Sequence, residues 1–293
     1  MNQLFKGAGV ALITPFNENY SIDYDTLGLI IDNQVLGGMD YLVALGTTGE
    51  TPSLTKNEKS NVVRYVVEKA DAKVPVMVGI GGNNTQNVIK DIQSFDLTGV
   101  DGLLIVTPFY NRPSQEGLFR HYKAISEESS LPIILYNVPS RTGVNMEAET
   151  VVRLTEECKN IIAIKEASGI LSQLATIEKY TPDEFLLISG DDVLALPIIS
   201  IGGKGHISVI ANAYPKKLSS LIHAGIADDY IQSRKIHMEL LDLFKLIFKE
   251  GSPGGLKALM QSLGICKNIL RSPLAPISDK LYNEISKASK LIQ

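Results

Sequence analysis

Short, continuously apolar segments recur along the chain, and glycine, proline or asparagine bounds each of them. A strand with one face in water alternates apolar and polar residues, whereas a strand that is buried on both faces is apolar throughout. The pattern therefore predicts eight buried strands, at Gly9–Thr14, Tyr41–Leu45, Pro75–Gly79, Gly102–Val106, Pro132–Tyr136, Ile161–Lys165, Phe185–Ser189 and Gly205–Val209.

Helical periodicity fills the intervals between these segments. In the clearest case, residues 55–72, apolar side chains recur at spacings of three and four. Thr55 and Glu58 match a capping box, so we expect the helix to begin there. Similar periodicity predicts helices at residues 84–97, 114–128 and 145–157.

The alternation of strands and helices predicts an α/β fold, a (β/α)8 TIM barrel. Consecutive strands are separated by roughly 20 to 35 residues, the length of one strand–helix unit. A doubly wound open sheet is the rival fold, and the number of strands does not exclude it. Polar residues follow several different strands, as in barrel enzymes, whereas an open sheet collects its site at one switch point.

After residue 225 the pattern is helical only. Residues 231–248 carry one apolar face, and residues 278–292 form a second amphipathic stretch. We predict a catalytic barrel over residues 1–225 and an appended C-terminal helical subdomain over residues 226–293. The apolar faces of this subdomain must pack on the barrel or on another subunit.

Composition and charge exclude several classes of protein. The 293 residues carry a net charge of −4 with both signs scattered, so the chain has no basic stripe that would bind nucleic acid. The apolar runs are too short to span a membrane, and the N-terminal residues do not resemble a signal peptide. Cys158 and Cys266 lack CxxC spacing, which favours free thiols in a reducing cytoplasm.

Lys165 ends the apolar strand that begins at Ile161. Lysine is rarely buried without a partner, and burial disfavours the charged form of an amine. A neutral amine is a nucleophile toward ketones, which indicates Schiff-base chemistry. The alternative is an interior salt bridge with Glu166 or another carboxylate, and a lysine considered alone would favour that alternative.

Two nearby side chains strengthen the catalytic interpretation of Lys165. Tyr136 ends the preceding strand, and its hydroxyl can deliver and remove protons during imine formation. The alternative is a core tyrosine that bonds a backbone carbonyl. Arg141 lies in the turn between Pro139 and Gly143, where a guanidinium can bind a carboxylate through two hydrogen bonds. The default for an isolated loop arginine is a surface ion pair.

The segment Gly46-Thr-Thr-Gly-Glu50 follows the second strand. The hydroxyls of Thr47 and Thr48 and the exposed backbone N–H groups suit the carboxylate of an α-keto acid, although a simple turn would have the same pattern. The glycine-rich segments at residues 79–82 and 202–205 complete no nucleotide-binding motif. The four histidines lack metal-ligand spacing, so we expect no metal and disfavour a metal-dependent aldolase.

Four segments together resemble the dihydrodipicolinate synthase family, and the resemblance covers essentially the whole chain in order. The lysine segment and the threonine loop are also shared with N-acetylneuraminate lyase and the 2-keto-3-deoxy sugar-acid aldolases. The arginine segment and the segment around Tyr110 are more specific to the synthase. The segments are Gly46–Glu50, Thr107–Gly117, Tyr136–Gly143 and Ile164–Gly169, with further matches at Ser189–Asp192 and Gly205–Val209.

The resemblance implies a cofactor-free condensation of pyruvate with L-aspartate 4-semialdehyde in cytoplasmic lysine and diaminopimelate biosynthesis. It implies that Lys165 forms the Schiff base with pyruvate. Tyr136, Thr47 and Tyr110 would form a proton relay, with Tyr110 contributed across a tight dimer interface in a homotetramer.

The same resemblance implies the substrate-binding residues. Thr48, together with Thr47, would hold the pyruvate carboxylate, and Arg141 would receive the carboxylate of the semialdehyde. The backbone at Gly190 and Ile207 would line the pocket near the lysine.

Two other functions stay open at this point. A lyase that acts on sialic acid or on a keto-deoxy sugar acid would keep Lys165 and Tyr136 but would have no use for Arg141. A non-catalytic barrel that binds a keto acid or acts as a scaffold would leave Lys165, Tyr136 and Thr47 unexplained as a set, and a barrel fold by itself decides nothing.

Weak or absent feedback inhibition by lysine is a first testable prediction. Family members that lysine inhibits carry histidines at the positions of Lys56 and Lys59, a glutamate at Asn87 and a tyrosine at Phe109, and only Asn83 matches them. The missing carboxylate matters most, because an ammonium ligand needs a negative partner. We expect lysine to inhibit turnover weakly or not at all in a steady-state assay; half-maximal inhibition at sub-millimolar lysine would contradict the prediction.

Overall fold

Within the described residues, eight parallel strands close into a barrel in chain order, each strand pairing with the next and the eighth with the first. The computed structural model describes residues 4–292. The predicted (β/α)8 barrel is confirmed, and the open sheet is excluded. The strands are β1 Gly7–Ala11, β2 Tyr41–Ala44, β3 Val76–Ile80, β4 Gly102–Val106, β5 Ile133–Asn137, β6 Ile161–Glu166, β7 Leu186–Ser189 and β8 Gly205–Ser208.

Helices cover the outside of the barrel. One set of strand side chains fills the barrel interior, and the other set packs beneath the helices, which explains why the strand segments are apolar throughout. The helices are α1 Tyr24–Leu36, α2 Lys56–Ala70, α3 Thr85–Ser94, α4 Gln115–Glu128, α5 Pro139–Thr142, α6 Ala148–Glu157, α7 Leu171–Tyr180, α8 Ala195–Ser200 and α9 Pro215–Ile226.

Local hydrogen bonds decide where these elements begin and end. The predicted capping box of α2 is confirmed, since Thr55 and Glu58 each bond the backbone N–H of the other. The predicted strand Gly9–Thr14 is wrong at both ends, because Gly7 pairs with β8 and the N–H of Ile13 donates to the side chain of Asn212 instead of a strand.

The helix predicted over residues 145–157 begins later than expected, at Ala148. The N–H of Met146 donates to Asn137 Oδ1 at 3.0 Å, so this residue is tied to the end of β5 rather than to the helix. The segment before Ala148 is thereby held against the end of β5, outside the helix.

Three further helices of the described chain follow the barrel: α10 Tyr230–Leu246, α11 Gly254–Ser262 and α12 Asp279–Ser289. α10 packs against α9 and against the turn at residues 192–194, and α12 packs against α10 and α11. The apolar face predicted for residues 231–248 is therefore buried on the barrel. The division of the chain between residues 225 and 226 stays a prediction.

Within residues 4–292, no helix is both long enough and apolar enough to cross a membrane. The first three residues, on which the expected absence of a signal peptide partly rests, lie outside the described residues.

A buried ion pair ties α11 to the loop that follows β2. Lys257 is fully buried, and its Nζ lies 2.5 Å from Glu50 Oε1. The same ammonium donates to the carbonyl oxygens of Thr14 and Ile269, each at 2.8 Å. The N–H of Arg271 donates to the second carboxylate oxygen of Glu50 at 3.0 Å. These contacts hold the β2 loop against the C-terminal helices.

Lys257→Met should destabilise the protein strongly, because it leaves the buried carboxylate of Glu50 without its cation. Breaking a buried pair in this way costs about 3–5 kcal/mol. We expect a clearly lower thermal unfolding midpoint, and the matched double variant Glu50→Gln, Lys257→Met should recover part of the loss. An unchanged midpoint in Lys257→Met, or a double variant worse than the sum of the single variants, would contradict this account.

Candidate active site

The carboxyl ends of β5 and β6 bring Tyr136 and Lys165 together. The two residues are register partners on these parallel strands, and both are buried. Lys165 Nζ lies 4.4 Å from the centre of the Tyr136 ring. Barrel enzymes carry their chemistry at this end of the strands, so the pair lies where catalysis is expected.

A cavity of about 470 Å³ opens over these two residues. Its wall is built from loops after β2, β5, β6, β7 and β8 and from the end of α10. The residues that line it are Thr47, Thr48, Tyr136, Val138, Ser140, Arg141, Lys165, Ala167, Gly190, Asp191, Val193, Val209, Phe244, Lys245, Phe248 and Ser252. A volume of this size suits a small molecule such as a keto acid with a second small substrate.

Lys165 forms no salt bridge with any residue in the range 4–292, within a limit of 4 Å. Glu166, the partner that the sequence offered, instead accepts hydrogen bonds from Asn137, Gln173 and the N–H of Ser168. Burial raises the pKa of Glu166. The alternative of an interior salt bridge between Lys165 and a carboxylate is therefore excluded for the described residues.

Thr47 and Thr48 lie on a tight 3-10 turn, Thr47–Gly49, between β2 and α2. Thr48 is buried, whereas Thr47 is exposed toward the barrel mouth. Thr51 Oγ1 closes the turn by donating to the carbonyl oxygen of Gly46 at 3.0 Å. The next residue, Glu50, has a left-handed backbone with φ 54° and is anchored by Lys257. The turn is thus fixed from both ends.

Arg141 lies on α5, which Pro139 begins and the left-handed Gly143 ends. Its Nη2 contacts the carbonyl oxygen of Ser252 at 3.5 Å, and no carboxylate of the described chain forms a salt bridge with it. Arg141 therefore does not form, with any of residues 4–292, the surface ion pair that is expected of an isolated loop arginine. Arg141 lines the cavity, and its guanidinium keeps N–H donors available for a ligand.

The loop after β7 packs directly against the lysine. A Cβ atom at Gly190 would lie 2.9 Å from Lys165 Cε and 3.0 Å from Ala167 Cβ. These separations are shorter than ordinary van der Waals contacts. The absence of a side chain at Gly190 therefore leaves the space that the lysine side chain occupies.

Asp192 anchors this β7 loop. Its Oδ1 pairs with His206 Nε2 at 2.7 Å and accepts from Ser208 Oγ at 2.6 Å, while Oδ2 accepts from the N–H groups of Val209 and Ile210. Burial alone would raise the pKa of Asp192, but these hydrogen bonds outweigh burial and lower it. The buried carboxylate thereby joins the loops after β7 and β8.

Most of the residues predicted from the sequence meet at this cavity, but two do not. Tyr110 is 90% exposed, has a left-handed backbone with φ 73° and does not line the cavity of its own chain. Ile207 is fully buried, and its side chain belongs to the apolar cluster inside the barrel. The roles expected of Tyr110 and Ile207 stay predictions.

Several lining residues were not found from the sequence. Asp191 follows Gly190 directly, and Phe244, Lys245, Phe248 and Ser252 come from α10 and the segment after it. The helical periodicity of residues 231–248 indicated only a buried face, and nothing local showed that its end closes the barrel mouth.

Within the described residues, no group of three His, Cys, Asp or Glu side chains could hold a metal ion.

The family model described as the dihydrodipicolinate synthetase family matches residues 4–292. The chain belongs to this family. Its relatives include the 4-hydroxy-tetrahydrodipicolinate synthase of Parabacteroides distasonis, which is 48% identical over 280 residues, 96% of this chain and 94% of the relative.

Solved structures of family members share the fold closely. The crystal structure of dihydrodipicolinate synthase from Aquifex aeolicus has a TM-score of 0.94 at 40% identity and covers 98% of this chain and 97% of that chain. The dihydrodipicolinate synthase from Thermotoga maritima has a TM-score of 0.94 at 38% identity and covers 98% of this chain and 99% of that chain. The resemblance seen in the sequence is confirmed.

Gly190→Ala should slow imine formation at Lys165, because the new methyl group displaces the lysine side chain. We expect a loss of about tenfold or more in the rate of pyruvate adduct formation, as small misplacements of a reacting group cost up to about 100-fold. Gly82→Ala is the matched control, since its Cβ would meet only Val88 at 3.4 Å. The same adduct rate in Gly190→Ala and in the unmodified protein would show that this contact does not position the lysine.

Proposed function

We propose that this chain condenses pyruvate with L-aspartate 4-semialdehyde to give 4-hydroxy-tetrahydrodipicolinate, in lysine and diaminopimelate biosynthesis. The observation that carries the proposal is Lys165, a buried amine that forms no salt bridge within residues 4–292. It lies beside Tyr136 in a cavity that also contains Arg141, which has no carboxylate partner in the described part of the chain. Family membership and the names of the relatives support the same activity.

The first half of the reaction joins pyruvate to the enzyme. The neutral amine of Lys165 attacks the ketone carbon of pyruvate, and loss of water leaves an iminium. The hydroxyls of Tyr136 and Thr47 carry the protons that this step moves. Thr47 and Thr48 hold the pyruvate carboxylate with their hydroxyls and backbone N–H groups.

The second half builds the new carbon–carbon bond. The iminium loses a proton from the pyruvate methyl group and becomes an enamine, so the iminium acts as the electron sink and no cofactor is required. The enamine carbon then adds to the aldehyde of the second substrate. Arg141 binds the carboxylate of that substrate. Finally the substrate amine closes the ring and displaces Lys165.

A second copy of the chain completes this site in our proposal. Tyr110 is exposed in a strained loop and does not reach the cavity of its own chain, so its hydroxyl would join the proton relay of a neighbouring subunit. We propose a homotetramer built from two such dimers, located in the cytoplasm. Gly190 and Ile207 would line the pocket near the lysine through their backbone.

A direct assay separates this function from its two rivals. The purified protein should form the cyclic product from pyruvate and L-aspartate 4-semialdehyde, and should cleave neither N-acetylneuraminate nor 2-keto-3-deoxy sugar acids at a comparable rate. Cleavage of a sugar acid in preference to condensation would favour a lyase of the wider superfamily. Binding of pyruvate with no turnover of any substrate would favour the non-catalytic barrel.

Arg141→Ala should weaken turnover of the semialdehyde more than imine formation with pyruvate. Hydrogen bonds to charged groups contribute about 1.5–3 kcal/mol, so we expect kcat/KM for the semialdehyde to fall by about 10- to 100-fold. Trapping of the pyruvate adduct should change little. Arg64→Ala, on the exposed face of α2, is the control and should leave both steps unchanged. Equal losses in both steps would remove Arg141 from the role of carboxylate clamp.

A further inference from the structure

Asp191 is the only carboxylate among the residues of the described chain that line the cavity. The other charged side chains on this wall are Arg141, Lys165 and Lys245, all of them basic. Asp191 forms no salt bridge with any of the three. A carboxylate that stands without a cation in an otherwise basic cavity is suited to a positively charged group of a ligand.

The carboxylate of Asp191 is held in place by its neighbours. Its Oδ1 accepts from the N–H of Val193 at 2.9 Å. Ser189 Oγ donates to the backbone carbonyl oxygen of Asp191 and accepts from its N–H, at 3.1 and 3.3 Å. The next residue, Asp192, is anchored to His206. A carboxylate has about four lone-pair positions, so Asp191 keeps acceptor capacity for a ligand.

The second substrate carries three groups that the cavity must recognise. Its aldehyde has to meet the enamine on Lys165, and its carboxylate matches Arg141. Its α-ammonium remains, and among the lining residues of the described chain Asp191 alone has the opposite charge. Groups of opposite sign that line one cavity select a zwitterion over a simple anion, because each wrong pairing leaves a desolvated charge.

We propose that Asp191 binds the α-ammonium of the semialdehyde and accepts its proton before the ring closes. This inference rests on the proposed condensation. Burial raises the pKa of the Asp191 carboxyl, so it accepts a proton more readily than a carboxylate in water. Gly190 directly precedes Asp191, and a Cβ atom at Gly190 would lie 2.9 Å from Lys165 Cε, so Asp191 belongs to the loop that packs against the lysine.

Ring closure transfers three protons and replaces the bond from the iminium carbon to Lys165 Nζ by a double bond to the substrate nitrogen. The ammonium gives one proton to the Asp191 carboxylate, and the resulting amine forms a bond from its lone pair to the iminium carbon. The ring nitrogen then gives a proton to Lys165 Nζ, and the bond between Nζ and that carbon breaks to release the neutral lysine amine. The lone pair of the ring nitrogen forms the new carbon–nitrogen double bond, and the last proton passes to water.

The test compares two aldehydes with the variant Asp191→Asn, which keeps the shape of the side chain and removes its charge. One aldehyde is L-aspartate 4-semialdehyde, and the other is 4-oxobutanoate, the same molecule without its amino group. We expect kcat/KM for the semialdehyde to fall by at least tenfold. The open-chain adduct of pyruvate and 4-oxobutanoate, trapped on Lys165 by borohydride and detected by intact mass, should form as it does in the unmodified protein.

Two further variants complete the design. Asp183→Asn, exposed outside the cavity, is the matched control and should change neither reaction. Asp191→Glu restores the charge and should recover part of the semialdehyde activity. If Asp191→Asn misfolds and also loses the pyruvate adduct, the activity of Asp191→Glu with the semialdehyde tests the role of the charge instead.

Equal effects of Asp191→Asn on the two aldehydes, or no effect on either, would overturn the inference, as would an inactive Asp191→Glu that still forms the pyruvate adduct. Failure of the unmodified protein to make any cyclic product would instead overturn the proposed condensation itself.

Discussion

The burial of Lys165 without an anionic partner among residues 4–292 is the constraint on which the rest of the site depends. A carboxylate within reach would hold the ammonium in an ion pair and withhold its lone pair from a ketone. The structure keeps the nearest candidate away, because Glu166 lies one residue further along β6 and is satisfied by Asn137 and Gln173. Tyr136 and Gly190 then define the space around the amine, one by its ring and the other by its lack of a side chain.

The surroundings of this lysine are held by buried polar groups rather than by apolar packing alone. Lys257 and Glu50 fix the threonine turn against the C-terminal helices, and the Asp192 carboxylate joins the loops after β7 and β8. Buried charges are costly unless they are paired and hydrogen-bonded, so such groups define a single arrangement of the loops that carry them. The C-terminal helices therefore serve the site as well as the fold, since the end of α10 also closes the barrel mouth.

The sequence predicted the barrel well because its strands are apolar on both faces, a pattern that requires little tertiary information. Lys165, Tyr136, Arg141 and the threonine turn were found because polar residues at the ends of such strands stand out, and the structure brings them to one cavity. The start of α6 was missed because the N–H of Met146, inside the predicted helix, instead donates to the side chain of Asn137 on β5. Asp191 and Lys245 were missed because only long-range packing turns the β7 loop and α10 toward the lysine.

Borohydride reduction in the presence of pyruvate, followed by intact mass and peptide mapping, tests the central claim most directly. The account predicts one stable pyruvate adduct per chain, located on Lys165 and absent when pyruvate or borohydride is omitted. A folded protein that forms no adduct, or an adduct that maps to another lysine such as Lys245, would contradict the assignment of Lys165 as the nucleophile.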